Sequence, residues 1–165
     1  MLDTEVQAAI NDQIRHELQS AYLYLAMCAH FEAANYRGFA HWIRIQAKEE
    51  LGHAMRLFDF ANERGSRVEL QALAAPASSF GEPIAIFEAA LDHEKKVTAL
   101  IHKLHETAGA RKDYATQVFL QWFISEQVEE EKSASEAVEL LRRAGSTPAA
   151  LLMLDARFGA RSADD

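Results

Sequence analysis

Four long stretches of this sequence carry apolar residues at alternating spacings of four and three, and each stretch interrupts that pattern with a glutamate near its middle. The first seam reads Ile10, Ile14, Glu17, Ala21, Tyr24, Cys28 and Phe31. The second reads Phe39, Ile43, Gln46, Glu50, His53, Leu57 and Phe60. The third reads Ile84, Phe87, Leu91, Glu94, Thr98, Ile101, His105 and Ala108, and the fourth Thr116, Leu120, Phe123, Gln127, Glu130, Ala134, Ala137 and Leu141. Such spacing is the repeat of a helix packed in a bundle. A carboxylate in a seam that should be apolar is costly unless it is paired or bound to a cation. Midpoints of packed helices of similar length share one layer, so Glu17, Glu50, Glu94 and Glu130 are expected to meet at one depth.

The punctuation of the chain places five helices, at about 4–34, 38–64, 83–109, 113–144 and 147–159, in a single domain over 1–165. Thr4 with Gln7 has the pattern of a capping box. The short break from Asn35 to Gly38 makes the second helix antiparallel to the first, and Gly65 suits its C-cap. Residues 65–82 then read as a long connection, rich in Ala and Ser, with Pro76 and Gly81 and with Pro83 just after. A helix of ~27 residues is about 40 Å long, and ~17 extended residues reach about 55 Å at most. The connection can therefore cross the whole bundle and leave the second and third helices parallel, which gives so long a loop its reason. Gly109 suits the end of the third helix, Asp113 the N-cap of the fourth, and Gly145 its close. Thr147 and Pro148 open a short fifth helix whose Leu151, Leu152, Leu154 and Phe158 form an apolar strip. A single bundle does not need that strip, so it reads as a partner surface. The expected fold class is all-α: a four-helix bundle with one long crossover connection and a short C-terminal helix.

Charge and cysteine usage narrow the function. Twenty-five acidic residues against 17 basic ones give a net charge of −8, which argues against general nucleic-acid binding and suits cations. Cys28 is alone, so neither an internal disulfide nor a Cys-x-x-Cys metal knuckle can form. No apolar run approaches the ~18 residues of a membrane span. The expectation is a soluble, cytoplasmic protein that uses neither membrane nor nucleic acid.

The chemistry is concentrated in the glutamate layer. Glu50 and His53, three apart, lie on one helix face. Four carboxylates, His53 and Gln127 would then converge. Unpaired, such anions would have to protonate; two divalent cations would neutralise them. A carboxylate-rich site with one imidazole suits iron or manganese, whereas structural zinc favours thiolates and more histidine. One seam glutamate alone could be a polar register device, and a bundle whose acidic layer is merely structural remains the competing class; four glutamates in one layer with His53 argue against it. His16, His30, His41, His93, His102 and His105 read as surface or helix-face residues. Tyr22, Trp42 and Trp122 read as core or interface aromatics. Glu129 to Glu131 form a charge run of the kind that is usually solvated, from which only its seam phase separates Glu130.

The chain resembles the bacterial non-haem ferritins to about residue 160. The resemblance rests on Glu17 with Tyr24 in the run Ser20 to Met27, on Glu49-Glu50-Leu-Gly-His53-Ala-Met-Arg-Leu-Phe-Asp59, on His93-Glu94, and on the run Phe119 to Lys132. Ferritin-like bundles are themselves the standing example of glutamates and Glu-x-x-His pairs holding two irons. The resemblance implies a 24-subunit cage of identical chains that oxidises Fe(II) with O2 or H2O2 and stores the ferric mineral. It implies Glu17, Glu50 and His53 around a first iron, with Glu50 bridging, and Glu94 and Glu130 on a second, with Gln127 beside the oxidant. Glu49, Glu126 and Glu129, with Glu130 again, resemble a third iron site, and Tyr24 an electron donor next to the pair. Three departures sharpen this. Gln127-x-x-Glu130 replaces a second Glu-x-x-His, which points away from bacterioferritins and di-iron oxygenases. Gly52 stands where bacterioferritins carry a haem-ligating Met, so no haem is expected. One cysteine cannot supply the iron domain of rubrerythrins. A mini-ferritin that uses peroxide would place its metals between subunits and lacks this in-bundle set.

Overall fold

The computed structural model describes residues 2–162, which form α1 (Thr4–Ala33), α2 (Arg37–Glu63), α3 (Pro83–Ala110), α4 (Tyr114–Ala144) and α5 (Pro148–Phe158). No strand occurs among the described residues.

The helix ends follow from side chains that take up free backbone groups. Asp3 caps α1, accepting from the Glu5 N–H at 2.9 Å; Thr4, expected at the cap of a box with Gln7, is instead the first helical residue, because the helix starts one position earlier on the Asp3 carboxylate. Asp113 caps α4 by accepting from the Thr116 N–H at 3.1 Å, and it is gripped at 3.0 and 3.1 Å by both terminal nitrogens of Arg64. Thr147 caps α5, with Pro148 in its first turn. Gly65 follows α2 with φ +66°, the left-handed residue that commonly ends a helix. Gly109 does not end α3. The helix continues to Ala110, and Lys112 takes the left-handed turn with φ 57°. A Cβ on Gly109 would lie 2.6 Å from Gln117 Nε2, the movable tip of a side chain that donates to the His105 carbonyl.

Ring contacts give the helix directions. Phe39 near the start of α2 packs on Phe31 near the end of α1 and on Phe87 near the start of α3. At the other end, Val6 and Ile10 of α1 share a cluster with Leu57 and Ala61 of α2, Ile101 and Leu104 of α3, and Leu120 and Phe123 of α4. So α2 runs against α1, α3 runs parallel to α2, and α4 returns against α3. The connection that makes this possible is extended and lies along α1. Gln19 exchanges two hydrogen bonds with the Ala74 backbone (2.8 and 3.0 Å). Asn11 accepts from the Glu69 N–H at 3.2 Å and donates to the Arg67 carbonyl at 3.4 Å. Side-chain amides thus satisfy a segment that has no ladder partner of its own.

The α3 seam differs from expectation. Ile86, Ala90, Val97 and Leu104 are buried beside Phe87, Glu94, Ile101 and Ala108, while Ile84, Leu91, Thr98 and His105 are half-buried. Residues 87, 94, 101 and 108 repeat every seven positions and belong to either phase. The core chose the phase with Val97 and Leu104 over the one with Thr98 and His105, which buries more apolar area. The α5 strip also differs. Leu151, Leu154 and Phe158 are buried in the chain's own core, Phe158 against Phe39, Trp42 and Phe87. Only Leu152 and Met153 remain strongly exposed. The strip closes the end of its own bundle instead of waiting for a partner.

Candidate metal centre

The apolar core is split in two. One cluster contains Tyr24, Ala47, Ala90 and Ala137; the other contains Ile14, Leu57, Val97 and Phe123. Along every helix the polar seam residues lie between members of the two: Glu17 on α1, Glu50 and His53 on α2, Glu94 on α3, Gln127 and Glu130 on α4. The four glutamates therefore occupy one level of the bundle, and none is more than 5% exposed.

Neutral donors reach some of these carboxylate oxygens and leave others bare. Gln13 Nε2 donates to Glu17 Oε1 at 2.8 Å, and Gln46 Nε2 donates to Glu130 Oε2 at 2.6 Å. The Tyr24 hydroxyl donates to Glu94 Oε1. Gln127 Nε2 lies 3.2 Å from Glu94 Oε2 and 3.2 Å from Thr98 Oγ1. Against this, Glu17 Oε2, both oxygens of Glu50 and His53 Nδ1 are buried with no hydrogen-bond partner. Buried polar atoms without partners are rare because each forfeits its hydration. Ligand atoms of Glu17, Glu50 and His53 lie within 4.8 Å of one another. Three bare carboxylate oxygens and one imidazole nitrogen are a hard, anionic donor set with room for a divalent cation, and they fit iron.

The protonation equilibria report the same shortage of positive charge. Burial, then the neighbouring Glu17 and Glu94, push the Glu50 carboxyl well above the usual range. Burial raises Glu94 to about 7, against the opposing hydrogen bonds from Tyr24 and Gln127. Burial and then Glu94 raise Glu130 to about 8. Burial and the facing Glu94 carboxylate hold the Tyr24 phenol well above its ordinary value. His93, beside Glu94 in sequence, donates to or accepts from Ser20 Oγ at 2.7 Å and meets the Tyr24 ring edge-on.

A second group forms on the flank of the layer, where ligand atoms of His53, Glu126 and Glu130 lie within 4.8 Å. Glu49 is half-buried beside it and pairs with Arg161 at 3.3 Å. Glu129 is not brought there: it is exposed and lies 3.8 Å from Lys132.

The family described as Ferritin-like domain matches residues 7–144. A bacterial non-heme ferritin of Bacteroides fragilis is 39% identical over 161 residues, covering 98% of this chain and all of the relative. One from Staphylococcus aureus is 38% identical over 165 residues, covering all of this chain and 99% of the relative. Among solved structures, an open-pore ferritin from the hyperthermophilic archaeon Archaeoglobus fulgidus superposes with a TM-score of 0.96 at 47% identity, over 98% of this chain and all of that one.

The chain belongs to the ferritin family. Within a ferritin, the bare donors in the middle of the bundle take on meaning as a place for the iron that the family stores. Sequence reasoning named Gln46 as a seam residue but not as the donor to Glu130, and it missed Gln13 as the donor to Glu17. Both are amides one turn from a seam glutamate, on or beside its face, and that spacing was the available signal. Arg161 was missed altogether, since it follows the last helix and obeys no periodicity.

Proposed function

We propose that this ferritin chain is a ferroxidase subunit, which oxidises Fe(II) with O2 or H2O2 inside the bundle and passes Fe(III) to a mineral stored in a 24-subunit cage. The observation that carries the reading is the set of buried, partnerless donor atoms on Glu17, Glu50 and His53. Fe(II) is the substrate. Glu17, Glu50 and His53 receive one ion, and Glu50, with both oxygens bare, is shared with a second ion held by Glu94 and Glu130. Carboxylates stabilise Fe(III) over Fe(II), which lowers the cost of oxidation, and two adjacent ions supply two electrons together. Gln127 fixes one Glu94 oxygen and Tyr24 the other, so Glu94 keeps its orientation as iron arrives and leaves. Tyr24, whose hydroxyl donates to Glu94, is read as an electron donor beside the pair. A third ion would sit by Glu49, Glu126 and Glu130. No haem takes part.

Self-association is supported by an apolar groove between α1, α2 and the crossover, lined by Tyr22, Leu25, Leu51 and Leu73, all exposed in the single chain. No helix among the described residues is long and apolar enough to cross a membrane. The cage is read as cytoplasmic, without membrane or nucleic-acid partners, a reading that the net charge of −8 suits.

Aerobic addition of Fe(II) tests the proposal. The protein should produce ferric absorbance faster than buffer autoxidation. Replacing Glu50→Ala together with His53→Ala should reduce that rate to the buffer rate while leaving helical content unchanged. A double variant as fast as the parent would remove the site assignment.

A further inference from the structure

Arg161 places a permanent positive charge at the flank of the carboxylate layer. Its backbone is held after α5: its N–H donates to the Phe158 carbonyl at 3.2 Å, and its own carbonyl lies 2.9 Å from His41 Nε2. The side chain, 12% exposed, passes Trp42 with the guanidinium carbon 4.5 Å from the ring centre. Nη1 donates to Gln46 Oε1 at 2.5 Å, and Nη2 lies 3.3 and 3.4 Å from the two Glu49 oxygens. Gln46 in turn donates to Glu130 Oε2. The guanidinium thus touches Glu49 directly and reaches Glu130 through one amide.

Glu130 itself belongs to the group formed with His53 and Glu126, and Glu49 lies close enough for His53 and Glu126 to act on its charge. A guanidinium cannot give up its proton in a protein, and its planar fork suits a carboxylate. A metal ion seeking Glu49 must therefore compete with a cation that the chain itself carries.

We propose that Arg161 is a built-in counter-ion that restricts the third iron position, docking on Glu49 and Gln46 when that position is empty and yielding when an ion enters. The proposal rests on the reading of the layer given under Proposed function. Because two cations compete for one carboxylate, the linkage is reciprocal: an ion bound there loosens Arg161, and removing Arg161 tightens the ion. Arg161 touches neither Glu17 nor Glu50, so it acts on the third position and spares the first. It is a positioning residue.

Anaerobic titration calorimetry of the assembled, full-length protein with Zn(II), which has no redox chemistry, separates the possibilities. The parent protein is expected to take two ions per chain tightly and a third weakly. Arg161→Gln, which removes the charge and leaves a shorter polar side chain, is expected to bind the third roughly tenfold more tightly. Arg161→Met, which keeps the packing on Trp42, gives the same result and stands in if the glutamine variant does not assemble. Adding Glu49→Gln to either should abolish the gain. Equal third-ion affinity with and without Arg161, or a gain that survives Glu49→Gln, overturns the proposal. If the parent binds two ions and Arg161→Gln changes nothing, only this inference fails; if the parent binds no interior ion, the reading of the whole layer fails with it.

Discussion

Glu94 and Glu130 hold their protons far above the ordinary carboxylate value of 4.5, to about 7 and about 8, with burial as the main cause. Between pH 4.5 and 8 the metal-free folded chain therefore binds more protons than the unfolded chain. Stability must then fall as pH rises through that window and level off above it. The metal-free protein should melt at a lower temperature at about pH 8.5 than at about pH 5.5, and saturating Zn(II) should remove most of the difference by replacing protons as the counter-charge. Calorimetric melting at the two pH values checks this; a melting temperature that rises with pH would contradict it. At this scale the sequence was informative where chemistry and phase coincide. Glu17, Glu50, Glu94 and Glu130 were legible because a glutamate at a seam position conflicts with burial. Glu129 carries the same side chain one position from Glu130 and faces solvent, so residue type alone decides nothing. Arg161 was illegible because its role comes from the tail folding back over Trp42.

At the scale of elements, the seams of α1 and α4 followed the four-three pattern, and that of α2 did so as far as Leu57, after which Ala61 is buried and Phe60 half-buried. That of α3 slipped because Phe87, Glu94, Ile101 and Ala108 fit two phases, and Val97 and Leu104 outweigh Leu91, Thr98 and His105. The path of the crossover was not legible either, since it is held by Asn11 and Gln19 on another element and not by any pattern of its own. The packing of α5 on α2 depends on Gly38, where a Cβ would fall 1.6 Å from the Asp155 carbonyl oxygen, and on the Phe39 N–H donating to Asp155 Oδ1 at 2.9 Å. Gly38→Ala is thus expected to push α5 outward and to cost about 1–3 kcal/mol by overpacking. Denaturant unfolding measures it, and a cost below about 0.5 kcal/mol would show that α5 does not dock as described.

The whole molecule is two apolar half-cores separated by an acidic layer, closed at one end by α5. Truncation after Ala144 removes Leu151, Leu154 and Phe158 and uncovers Phe39, Trp42 and Phe87. Each buried side chain of this size contributes about 1.5–3 kcal/mol, so the truncated chain should melt well over 5 °C lower and fail to hold a stable iron-loaded cage. Light scattering with thermal melting tests this; full-size cages of parental stability would contradict it. The bundle can hold four buried glutamates if cations neutralise them. Anomalous scattering from a crystal soaked anaerobically in Fe(II) shows whether they do. Two strong iron peaks per chain are predicted inside the bundle, one by Glu17, Glu50 and His53 and one by Glu50, Glu94 and Glu130. Iron found only at the surface, with the layer left without metal, would contradict the account.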